Sequence, residues 1–226
     1  VAQAAKRLFG QPHKGFLCFG QKKKAKPNSS LLRMNFLAHF FLAKREPAWV
    51  VGNFVADYLR NAEIAELPEA VRAGVALHRS VDAFTDRHPV VRQCAQRLFP
   101  FHGKYAPVVI DVFFDFFLIH NWERYSEEPF DVFVQKMYDI LLEYREMLPQ
   151  GLQERLPRMV SGGWLHSYGH IQGLEYAFLR LQSRMSKPEQ LQGVIDSHHR
   201  YFDATNQDFN DFFPEVIAFA SDWQVR

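Results

Sequence analysis

The sequence predicts an all-α fold in a single helical domain, and three observations carry that prediction. Prolines open segments whose apolar residues recur every three or four positions: Pro68 to Pro89, Pro107 to Trp122, and Pro129 to Pro149. No two runs alternate apolar and polar residues around a turn signal in the manner of a strand pair. The landmarks of the common α/β and repeat folds are also missing, with no Gly-rich phosphate loop, G-x-S-x-G elbow or internal repeat.

Taken in order, residues 1–33 hold eight of the 27 Lys and Arg and no acid, and they show no sustained periodicity. They read as a disordered or non-native basic leader with some likeness to a targeting peptide, and Met34 reads as the natural start of the domain, which spans 34–226. Met34 to Ala43 is expected to be helical and carries His39. A turn at Glu46-Pro47 precedes a second helix, Trp49 to Arg60, with Asn53 and Asp57 four residues apart. Pro68 opens a long helix that Pro89 ends, since a missing N–H costs nothing in a first turn and bars a helix from continuing. A linker is expected near Phe99 to Gly103, then a helix from Pro107 to Trp122 that is apolar on every side and therefore buried all round. An amphipathic helix follows over 129–148. Arg155 to Gly173 reads as looser, and Leu174 to Met185 and Glu189 to Phe213 read as closing helices. His88 and His102 are expected in surface loops, and His198 and His199 facing solvent.

Two features of this plan carry chemistry. His78 and Asp82 stand four apart, one above the other, inside the apolar stripe of the Pro68 helix. Asp111 and Asp115 do the same on the all-apolar Pro107 helix, in line with Leu118 and Trp122, whereas His120 is about half a turn out of phase. Ionisable groups on core-facing stripes are costly unless paired, hydrogen-bonded or bound to a metal. One His–Asp pair alone would suit a structural bolt between helices. A His and three Asp on facing helices suit a hard or borderline divalent cation.

Composition sets the outer bounds. The chain has 226 residues, 22 of them Phe, enough for one domain with a large aromatic core. No apolar run reaches the roughly 18 to 20 residues that span a bilayer, so no membrane partner is expected. Two distant cysteines supply neither a disulfide framework nor a zinc-thiolate motif, which fits a reducing, cytoplasmic setting. Outside the leader, 19 basic residues face 25 acidic ones, a net −6. The body is therefore not a general polyanion binder, and nucleic acid is not expected as a partner.

Four stretches stand in a recognisable order and spacing: Met34-Asn-Phe-Leu-Ala-His39, Gly52-Asn-Phe-Val-Ala-Asp57, Leu77-His-Arg-Ser-Val-Asp-Ala-Phe-Thr-Asp86 and Asp111-Val-Phe-Phe-Asp-Phe-Phe-Leu118. From Met34 to about Ala220 the chain resembles the acyl carrier protein phosphodiesterase family. That resemblance implies an all-helical, divergent relative of the HD-domain phosphohydrolases that removes 4′-phosphopantetheine from holo-acyl carrier protein. It implies a divalent cofactor, manganese by preference, with Mg²⁺ or Fe²⁺ as substitutes. Asp57, His78 and Asp82 take the catalytic roles of the family's motifs, with His39, Asp57, His78, Asp82, Asp111 and Asp115 as candidate metal ligands. Arg60, Arg79 and Arg87 are the candidate substrate-binding cations, since paired N–H donors suit a phosphate. The chain departs from the pattern in lacking a literal His-Asp dipeptide and in placing Phe116 where relatives often have His. The carrier substrate is strongly acidic, so docking on a net-negative body requires a local basic patch, expected from Arg60, Arg72, Arg79, Arg87, Arg92 and Arg97. Two other readings are open at this level. One is an HD-like phosphohydrolase for a nucleotide or small diester, with Trp164 or Tyr168 as an aromatic slot. The other is a helical interaction module in which the acids are structural.

Overall fold

The computed structural model describes residues 36–43 and 46–223, and within them every regular element is helical. The proposed leader lies outside the described residues. Thirteen α-helices can be followed among those described, beginning with α1 (Phe36–Ala43), α2 (Pro47–Val55), α3 (Asn61–Ala65) and α4 (Glu69–Arg87). The 19-residue α4 is the frame of the site. Pro68 stands just before its first residue, Pro89 opens the next helix, and Glu69 and Arg87 place charges of the favourable sign at its two ends. Its buried stripe runs through Val71, Gly74, Val75, Leu77, His78 and Val81, the stripe expected from the sequence.

Helix α2 lies on α4 with backbone against backbone. A Cβ at Gly74 would stand 2.5–2.9 Å from backbone atoms of Trp49, and one at Gly52 only 2.2 Å from the Val71 carbonyl oxygen. Asn53 ties the same crossing by donating from Nδ2 to the Trp49 carbonyl (2.9 Å) and to the Gly74 carbonyl on α4 (3.2 Å). The close approach sets the distance between the end of α2, where Asp57 follows, and His78, one turn beyond Gly74.

Beyond α4 come α5 (Pro89–His102) and α6 (Ala106–His120), joined through a 3₁₀ turn at Gly103–Tyr105. The expected linker is thus helical up to His102. Pro100 sits in the last turn of α5, where it forgoes only the bond to the Gln96 carbonyl, and Gln96 is exposed so water can serve it. Gly103, at φ 52°, makes the turn that a residue with a Cβ resists. As expected, α6 is buried from Val112 to Leu118, and His120 is exposed. Next are α7 (Trp122–Tyr125), α8 (Phe130–Glu143), α9 (Gln150–Ser161), α10 (Trp164–Ser167) and α11 (Ile171–Gln182). The segment read as loose from Arg155 is mostly helical. The last two are α12 (Val194–Arg200) and α13 (Phe202–Asp222), so the closing segment breaks at Tyr201 and continues beyond Pro214. Helix α1 packs against α2, α4, α6 and α13, placing His39 at the centre of the assembly.

Three histidines expected at the surface are buried. His102 is fully enclosed, with Nδ1 2.8 Å from the Gln190 carbonyl and Nε2 2.8 Å from Ser197 Oγ. His88 lies against Glu215 at 3.2 Å. His198 packs between Phe113, Phe116, Phe117 and Phe202, without a hydrogen-bond partner, and burial pushes its pKa down to about 4. It serves as a neutral aromatic ring. Polar chain neighbours such as His199 and Arg200 concealed this, because the cover comes from α6. No helix among the described residues is long and apolar enough to cross a membrane.

Candidate metal centre

Four side chains from three places in the chain meet beside the α2–α4 crossing. His39 comes from α1, Asp57 from the turn after α2, and His78 and Asp82 from successive turns of α4. His39 Nε2 lies 3.2 Å from Asp82 Oδ1. His78 Nε2 lies 3.5 Å from Asp57 Oδ1 and 3.5 Å from Asp82 Oδ2. The two imidazoles stack with centroids 3.9 Å apart and planes inclined by 24°. Both rings are buried, whereas the Asp57 and Asp82 side chains keep 12% and 19% of their exposure. The cluster is therefore open to solvent on its carboxylate side.

Proximity here does not amount to hydrogen bonding. None of the four ring nitrogens of His39 and His78 makes a bond of acceptable direction, although carboxylate oxygens lie within reach. A His–Asp bolt would align at least one N–H with its acceptor, because orphaned buried nitrogens cost about 1–3 kcal/mol each. Stacked rings also cannot both carry charge cheaply. Burial first, and then the neighbouring His78, hold the His39 pKa below its ordinary value, with Asp82 pulling the other way. A neutral imidazole leaves a lone pair to donate. One donor atom each from His39, His78 and Asp82 lies within 4.8 Å of the others, a spacing compatible with ligation by one cation at about 2.0–2.2 Å. Two imidazoles and a carboxylate form a borderline-hard set, suited to Mn²⁺, Fe²⁺ or Zn²⁺ more than to an all-oxygen ion such as Ca²⁺.

The two aspartates of α6 take different places. Asp111 is partly exposed and borders a small, mainly apolar pocket with His39, Ala38, Val81 and Thr85. Asp115 is fully buried and lies outside the His39–His78–Asp82 group. Its carboxylate accepts from the Leu37 amide (3.1 Å) and the Ala38 amide (2.9 Å), at the head of the helix that carries His39. Burial pushes the Asp115 pKa up to about 7 against the pull of those two amides. Spacing on α6 alone concealed this contact, since its partners lie 77 and 78 residues away.

The arginines singled out from the sequence stand on the outside of α3 to α5. Arg60 forms a two-pronged pair with Glu63, through Nε (3.0 Å) and a terminal nitrogen (2.9 Å). Arg79 donates to Asn61 Oδ1, Arg72 to the Ala65 carbonyl, Arg92 to the Asp86 carbonyl, and Arg97 pairs with Asp208. Arg87 is exposed at the end of α4. Asp57 thus faces His78 rather than Arg60 or Arg79.

Comparison with known proteins agrees with the resemblance seen in the motifs. A family model described as acyl carrier protein phosphodiesterase matches residues 34–216. A protein of that name from Serratia proteamaculans is 28% identical over 193 residues, covering 85% of this chain and all of the relative. One from Yersinia enterocolitica is 26% identical with the same coverage, and one from Escherichia coli strain HS is 29% identical, covering 83% of this chain and 98% of the relative. No solved structure matches the chain.

Proposed function

The chain belongs to the acyl carrier protein phosphodiesterase family, and from that premise we propose that it is a metal-dependent, HD-like hydrolase releasing 4′-phosphopantetheine from holo-acyl carrier protein. The observation that carries the metal part is the set of orphaned, stacked imidazoles facing carboxylates around one small space. A divalent ion there supplies charge neutralisation for an anionic diester and acidifies a water. His39, His78 and Asp82 would hold that ion. Asp57 stands outside the group of three, with Oδ1 3.5 Å from His78 Nε2 and on the side open to solvent. That position supports a role for its carboxylate in accepting the proton of the attacking water. Asp115 acts at a distance, by fixing the head of α1 and with it the direction of His39.

Nucleotide hydrolysis is less well supported. Tyr168 is fully buried and Trp164 is packed against Phe36, Phe40 and Phe54, which leaves no slot for a base between them. Incubating holo-carrier with the protein and Mn²⁺ is expected to give a mass loss equal to phosphopantetheine, abolished by EDTA. Mn²⁺ is also expected to bind stoichiometrically and to raise Tm by several degrees. Turnover of a small phosphodiester without any mass loss from the carrier would point to a generic phosphohydrolase. Absence of both Mn²⁺ binding and thermal shift would favour the interaction module.

A further inference from the structure

Next to Asp57 stands Tyr58, and it is covered by an arginine from an element far away in sequence. The Arg155 guanidinium of α9 lies over the Tyr58 ring at 5.9 Å. Arg180 stands near the end of α11 and Arg184 just after it. Among the described residues none of the three is in an ion pair, in contrast to Arg60 and Arg97. Helix α11 also exposes Tyr176 and Leu179, each at 61%, with the Arg180 guanidinium 5.7 Å from the Tyr176 ring. In a body of net −6, three cations outside any ion pair, near two exposed apolar side chains, outnumber the exposed acids Glu154 and Glu175 on the same elements. Arginine and aromatic residues are the types enriched where protein surfaces meet.

We infer that Arg155, Arg180 and Arg184, with Tyr176 and Leu179, form the surface that docks the acidic face of the carrier protein beside the cluster. This rests on the function proposed above. The position suits the task, since Asp57 and Asp82 keep part of their exposure on the cluster's open side and Tyr58 is the residue next to Asp57. A carrier held there presents its linked phosphodiester to the metal site. The arginines on α3 to α5 then have no part in docking.

The test reverses the three arginines to Glu, singly and together, with the triple Gln variant as a milder form and Arg87→Glu/Arg92→Glu as the contrast. Steady-state kinetics use holo-carrier and, separately, bis(p-nitrophenyl) phosphate, both with Mn²⁺. The triple variants are expected to raise KM for holo-carrier about tenfold or more, with kcat and small-diester turnover within about twofold of wild type. The salt dependence of kcat/KM should flatten, because steering by charge has been removed. The α4–α5 reversal should leave KM unchanged. Unchanged KM in the triple variants, a KM rise in the contrast pair instead, or equal loss on both substrates would each overturn the docking surface while leaving the activity intact. If wild type turns over the small diester but never the carrier, the functional reading fails and the docking surface with it.

Discussion

Replacing Asp82 by alanine is expected to lower kcat by about 10³-fold, roughly 4 kcal/mol of transition-state stabilisation, and to remove the Mn²⁺-induced rise in Tm. Asp82 faces both imidazoles, at 3.2 and 3.5 Å. Its partial exposure means that the apo fold should survive the change, with far-UV circular dichroism near that of wild type. His78→Ala and His39→Ala should lose the Tm response as well, at a greater cost in stability, since both rings are buried. Asp57→Asn separates holding from proton transfer: kcat should fall by a factor of 10² or more while the Mn²⁺ response is kept. Substantial activity in the Asp82 variant after chelation would falsify the metal reading. Unfolding of every variant regardless of metal would favour a structural bolt.

The largest effect on stability is expected at the α2–α4 crossing. Gly74→Ala places a methyl group within 2.9 Å of three backbone atoms of Trp49, and backbone cannot swing aside as a side chain does. The helices must separate, at an expected cost of about 3 kcal/mol or more, a fall in Tm of about 10 °C. Separation also lengthens the Asp57–His78 distance, so turnover should fall even where the variant is still folded. Gly151→Ala in α9 is the control: among the described residues, the added Cβ would meet, beyond its own helix backbone, a guanidinium nitrogen of Arg155 at 3.9 Å. That substitution should be neutral or stabilising by up to about 1 kcal/mol. Equal melting temperatures for the two variants, measured by calorimetry, would show that the crossing yields easily.

The contrast between these two glycines also marks what a sequence can disclose. Helices bounded by proline and carrying an apolar stripe were legible, α4 and α6 above all, because both signals are local. His78 and Asp82 were legible for the same reason: a four-residue interval on an apolar face is visible within one helix. His39 and Asp57 entered through motif resemblance, since neither shares a helix with them. What remained hidden depends on contacts between distant segments. Nothing near Gly74 distinguishes it from a tolerated helical glycine until Trp49 is laid across it. His102 stands in a Pro- and Gly-containing stretch that reads as a linker and His198 beside polar neighbours, and their cover comes from the Gln190 carbonyl and from α6. Asp111 and Asp115 look equivalent by spacing, yet one borders a pocket and the other grips two amides.

That grip has a consequence for following the protein in solution. Amides in the first turn of a helix ordinarily lack an intrahelical acceptor and exchange with solvent quickly. The Leu37 and Ala38 amides are instead bonded to a carboxylate buried in the core. Their hydrogen–deuterium exchange therefore requires α1 to leave its seat on α6, and their protection measures the free energy of that opening. Two backbone positions thereby report, without any reaction being run, how much of the time His39 faces its partners on α4.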